Sequence, residues 1–189
     1  MNTAAKPGPR ERLLRAAQEL TYARGAGVGV DAILQQADVA RRSLYQHFGG
    51  KDGLIAEVIR ASAAEEEARY RAAMDAGGDD PRQRLLAVFD ALDEITSGRG
   101  FRGCRYLAAD LTLVDPGHPA HAETRAYRQR VHRLLEQQLE KLGHRNPAHA
   151  ADQLQLLIEG TLVTGVTRPE TRPAKTAREL AEHVLDSSH

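Results

Sequence analysis

The chain has 189 residues, 41% of them apolar and 28% charged, a composition that suits a globular protein of one large domain, or a small domain joined to a larger one. The polar start lacks the apolar core of a signal peptide, no apolar run approaches the ~20 residues of a membrane span, and the lone cysteine, Cys104, excludes an internal disulfide or a cysteine-rich zinc site, so a cytoplasmic protein is expected. Net formal charge is zero, but residues 1–53 hold eight Lys/Arg against five Asp/Glu and residues 54–189 hold 18 against 21, a mildly basic head on a mildly acidic body.

Residues 1–8 read as a flexible arm. Leu13, Ala17 and Leu20 then recur at helical spacing, and Gly25 stops that helix after Arg24. A second, short helix is expected from about Val30 to Ala37, with Asp31 in its first turn, where negative charge suits the helix dipole. The break Asp38-Val39-Ala40 follows, then a third helix from about Arg41 to His47, ending near Gly49-Gly50. From Lys51 a long helix carries Leu54, Ile55, Val58 and Ile59 toward Met74 and breaks at Gly77-Gly78. Asp80-Pro81 supplies an N-cap acceptor followed by proline at the first helical position. The helix it opens has the apolar stripe Leu85, Val88, Phe89, Leu92 and Ile95. A segment from Gly103 to Val114 is closed by Asp115-Pro116-Gly117, and the long helix after Pro119 is capped by Gly143. Asn146-Pro147 repeats the start signal, and the last helix begins near Pro173. The pattern is all-α, with about nine helices and no strand.

Two short helices joined by a tight turn form a helix-turn-helix pattern, in which the second helix enters the major groove of DNA. Leu44 and Phe48, four residues apart, share a face that can anchor the third helix to its own domain. Arg41, Arg42, Ser43, Gln46 and His47 lie off that face. Arginine can grip guanine bidentately and glutamine can read adenine, while serine, tyrosine and histidine suit phosphate oxygens. Lys51, opening the next helix, sets a cation beside free backbone N–H groups, which suits a phosphate. A solvated amphipathic helix would show the same pattern, so pattern alone leaves both readings open.

Residues 30–59, VDAILQQADVARRSLYQHFGGKDGLIAEVI, resemble the DNA-binding signature of the tetracycline-repressor (TetR) family, most specifically at Leu44-Tyr45-x-His47-Phe48, Lys51 and Leu54. The resemblance implies that Tyr45, His47 and Lys51 contact the phosphate backbone and that Arg41, Arg42, Ser43 and Gln46 reach bases or nearby phosphates. It is close over residues 10–60 and architectural beyond them. Three departures stand out: Asp38 where the family has a turn glycine, Ala40 where it has a capping serine or threonine, and Val28-Gly29 where threonine is usual. Aspartate tolerates turn conformations, but Ala40 removes a helix cap and, with Val28-Gly29, two phosphate contacts come into question.

The resemblance further implies a DNA-binding domain over residues 9–54 and an effector-binding and dimerisation domain over residues 55–189. The protein would be a regulator, by family default a repressor, binding a near-palindromic operator as a homodimer and released by a small apolar or amphipathic molecule. Candidate pocket residues are Phe89, Phe101, Cys104, Leu107, Leu111, Tyr127, Val131 and Thr161; plain core packing explains the same residues. For the dimer, small residues in the eighth helix let another helix approach closely, and Leu157, Gly160, Thr164, Gly165, Leu180 and Val184 are the candidates. No cofactor, metal or membrane partner is expected. The competing reading is a helical binding protein, or a thiol-dependent enzyme using Cys104, with a non-functional helix-turn-helix. Against an enzyme, Cys104 lies in an apolar helical segment, His118 and His121 are interrupted by Pro119, and no Glu is followed three residues later by His.

Overall fold

The computed structural model describes residues 7–187, and the expected arm therefore lies, apart from Pro7 and Gly8, outside the described residues. Among the described residues nine α-helices follow one another: α1 Pro9–Arg24, α2 Val30–Ala37, α3 Arg41–Phe48, α4 Lys51–Ala76, α5 Pro81–Ser97, α6 Arg105–Thr112, α7 Pro119–Leu142, α8 Pro147–Thr167 and α9 Pro173–Asp186. A single 3₁₀ turn, Pro169–Thr171, separates the last two, and no strand occurs among the described residues. The local signals act as expected. Asp80 Oδ1 accepts the backbone N–H of Arg82 at 3.0 Å, and Asn146 Oδ1 accepts that of His149 at 3.4 Å, each satisfying an N–H that a helix start leaves without a partner. Gly143, at φ 75°, ends α7, and His144 N–H reaches back to the Leu139 carbonyl at 2.9 Å.

The chain divides into two compact units. Among the described residues, one comprises those up to Ala63 together with Arg105–Arg125, and the other Ala64–Cys104 with those from Ala126 onward. In the first unit α1 packs on α2 and α3. Its core is Leu13, Ala17, Leu20, Val28, Ile33, Leu44, Leu54 and Val58, with Phe48 packed against it. Full burial of each large aliphatic here stabilises by about 1.5–3 kcal/mol relative to exposure. In the second unit α5, α8 and α9 pack on one another around Leu85, Phe89, Leu92, Leu154, Ile158, Ala177 and Ala181, all nearly inaccessible. Tyr70, buried in this unit, donates its hydroxyl to Glu66 Oε1 at 2.7 Å; burial, reinforced by the Glu66 charge, pushes the phenol well above its ordinary range and keeps it neutral.

Candidate nucleic-acid interface

The turn between α2 and α3 is carried by a residue with a side chain. Asp38 takes a left-handed conformation, φ 52° and ψ 54°, and its N–H bonds the Gln35 carbonyl at 3.2 Å. Arg12 of α1 donates to both the Asp38 carbonyl (2.9 Å) and its carboxylate (3.2 Å). Asp is one of the few residues for which this conformation is cheap, and here it is pinned from α1. Ala40 at the α3 N-cap makes no side-chain cap bond, as its chemistry requires.

Leu44 is 2% exposed and roots α3 in the core, while Phe48 is half-buried and lies 5.4 Å below the Arg10 guanidinium. Around these anchors Arg41, Arg42, Tyr45, Gln46 and His47 are exposed, and Ser43 is half-buried. Tyr45, at 58%, is a large aromatic ring left in solvent. Lys51 opens α4 directly after the glycine pair that ends α3, and it is half-buried. Arg42 and Lys51 carry no ion pair among the described residues. Arg41 does: its Nη2 lies 2.5 Å from Asp31 Oδ1 in the first turn of α2.

Two features of this unit escaped the sequence reading. A Cβ added to Gly53 would overlap the backbone carbonyl oxygen of Phe48, so the α3–α4 corner closes only because residue 53 lacks a side chain. The start of α7 also reaches this unit. His118 is buried, its Nδ1 accepts the Ala120 N–H at 3.1 Å, and its Nε2 lies 3.4 Å from Asp52 Oδ1, beside Lys51. His121 sits between Asp110 Oδ1 (2.7 Å) and the Asp115 carbonyl (3.0 Å). Both histidines are thus engaged in polar contacts that tie the 110–121 segment down. The only sequence cue was the His-x-x-His spacing.

The expected pocket residues divide. Phe89, Phe101, Cys104, Tyr127, Val131 and Thr161 belong to the second unit, and all but the half-buried Phe101 are buried. Leu107 and Leu111 belong to the first unit, and Leu111 is 77% exposed, pointing away from any core. The expected dimer residues also divide. Gly160 is exposed, with nothing within 4 Å of the Cβ it lacks, and Leu180 is 48% exposed. Leu157, Thr164 and Val184 are half-buried. Gly165 is buried, and an added Cβ would lie 2.9 Å from Thr96 Cγ2 and 3.1 Å from Phe101, so its smallness serves packing within the chain. The open face of α8 also carries Val166 and, not singled out by the sequence reading, Leu156 and Val163. Leu156, Gly160, Thr164 and Leu180 help to line a groove of about 320 Å³ between α8 and α9.

Known proteins resemble this chain over nearly its whole length. The family profile for bacterial regulatory proteins of the tetR family matches residues 13–58, the span of the helix-turn-helix and its core. The chain is 26% identical over 177 residues to the HTH-type transcriptional regulator YjdC of Escherichia coli (strain K12), covering 93% of each. A cysteine variant of the TetR-family regulator CifR, solved with 26-bp double-strand operator DNA, shares the fold with a TM-score of 0.76 at 20% identity, over 98% of this chain and 99% of that one. The crystal structure of SCO4454, a TetR-family transcriptional regulator from Streptomyces coelicolor, matches with a TM-score of 0.87 at 30% identity over 95% of both chains. Since that likeness runs nearly end to end and the profile falls on the helix-turn-helix, the chain belongs to the TetR family of transcriptional regulators.

Proposed function

We propose that this protein is a repressor that binds a near-palindromic operator as a homodimer through α3 and is released by a small apolar or amphipathic effector. The observation that carries the reading is α3 itself. Its apolar side is sunk in the core at Leu44, while Arg42, Tyr45, Gln46 and His47 stand in solvent with donors suited to phosphates and base edges. CifR, which shares the fold, binds double-strand operator DNA. Dimerisation is supported by the exposed apolar face of α8 and α9, which water alone would cover poorly. Two-fold symmetry would then set two recognition helices about one DNA turn or slightly more apart.

Titration of the full chain against duplex DNA from upstream of its own gene tests the reading. Binding should weaken linearly with the logarithm of salt concentration, and Lys51→Ala should reduce that slope by about one unit per protomer. Undiminished affinity in a triple Arg41→Ala, Arg42→Ala, Lys51→Ala variant would remove α3 from the interface. An effector must favour the DNA-incompetent form, since equal affinity for both forms shifts nothing. Compounds that raise the melting temperature should then lower operator affinity about 5–150-fold, the usual span of allosteric coupling.

A further inference from the structure

We infer that Asp31 is a positioning residue that aims Arg41 at a base and so contributes to operator specificity; this rests on the DNA-binding reading above. Asp31 sits in the first turn of α2 and Arg41 at the first position of α3, the two helices of the helix-turn-helix. Their side chains meet at 2.5 Å, Asp31 Oδ1 accepting from Arg41 Nη2. Both side chains are more than half exposed, at 86% and 55%, so the pair adds little to folding stability. Its consequence is conformational. An arginine side chain in water samples many rotamers, and a carboxylate bonded to one Nη biases that range toward one arrangement before DNA arrives.

The guanidinium is not used up by this bond. It has five N–H groups, and a single acceptor on Nη2 occupies one of the two hydrogens there. Whichever hydrogen that is, one edge with two parallel N–H groups stays open. That edge matches the O6 and N7 acceptors of guanine in the major groove. The neighbouring cations differ: Arg42 and Lys51 have no ion pair among the described residues and are free to follow phosphates. A carboxylate at the DNA-facing end of α2 would repel phosphates. Asp31 therefore weakens binding to all duplexes a little and sharpens the choice among them, a division of roles between Arg41 and its free neighbours.

The test uses the full-length chain throughout. A randomised duplex pool selected with the wild type yields a preferred sequence, which is then titrated against each single-base-pair variant. Arg41→Ala should flatten the preference at one base pair per half-site by about 5–150-fold, the worth of a bidentate guanine contact. Asp31→Ala should flatten the preference at that same base pair, by at least about threefold, while tightening binding to unselected duplex. In the Arg41→Ala background, Asp31→Ala should leave the profile unchanged. Thermal melting of each variant shows that the fold is kept. If Asp31→Ala tightens every duplex equally and leaves the base-pair profile intact, the carboxylate is a repelling charge only and the inference fails. It fails equally if Arg41→Ala leaves the profile intact. If the wild type enriches no sequence and binds no duplex, the DNA-binding reading falls first and takes this one with it.

Discussion

The molecule shows two exposed faces built on opposite principles. The face of α3 is polar and cationic, and its exposed groups are satisfied in water: Arg42, Gln46 and His47 lose nothing by standing in solvent. The face of α8 and α9 is apolar, with Leu156 at 71%, Val163 at 51% and Leu180 at 48% exposure. The first can wait for an intermittent, salt-sensitive partner. The second gains by being covered permanently, at about 25 cal/mol per Å² of apolar surface removed from water. A polar face needs a rigid frame to present its donors in register, whereas an apolar face needs mainly room for close approach. The head accordingly spends its constrained backbone on the frame: Asp38 left-handed and pinned by Arg12, and Gly53 tight against Phe48.

That contrast can be broken at its stiffest point. Gly53→Ala forces a methyl group into the Phe48 carbonyl and should destabilise the head by about 3 kcal/mol or more, read by urea denaturation. Gly27→Ala, at an exposed position with nothing within 4 Å, should stay within about 0.5 kcal/mol. Equal effects from the two would mean that the frame is soft and that the comparison fails on its rigid side.

On the apolar side, Leu156→Glu and Leu180→Glu should each raise the dimer dissociation constant on the order of 30-fold, corresponding to about 2 kcal/mol, and leave the melting of the monomer nearly unchanged. Sedimentation at graded concentrations reads the first quantity. Variants that remain dimeric like the wild type would move the dimer surface elsewhere. Glycines sharpen the same point at smaller scale. Gly165→Leu should cost about 1–3 kcal/mol of folding stability through Thr96 and Phe101, whereas Gly160→Leu should spare folding and disturb association alone. The smallest effect expected is a gain. Ala40→Ser supplies the cap that α3 lacks and should stabilise the head by about 0.5–1 kcal/mol in the same urea titrations.

Helix ends were legible because their causes lie within four residues of each other. Asp80-Pro81, Asn146-Pro147 and Gly143 act through bonds to N–H and carbonyl groups on the same turn. The anchor pair Leu44 and Phe48 was equally legible, since a four-residue spacing sets both on one side of a helix before any tertiary contact exists. With that side buried, the identities of the exposed α3 residues followed by subtraction, which is why the candidate DNA face could be read from eight consecutive residues.

Sequence by itself thus determined the helical order, the helix-turn-helix pattern and which α3 side chains face outward. Those depend on periodicity and on hydrogen bonds between near neighbours. Only the tertiary structure decided which of two similar glycines, Gly160 or Gly165, is open and which is packed against α5, because both occupy an apolar helix and differ only in what stands opposite. It also grouped Arg105–Arg125 with the head, set His118 against Asp52, and closed Asp31 on Arg41. Each of these joins residues ten or more positions apart, and no local pattern encodes a distance that depends on how whole helices pack.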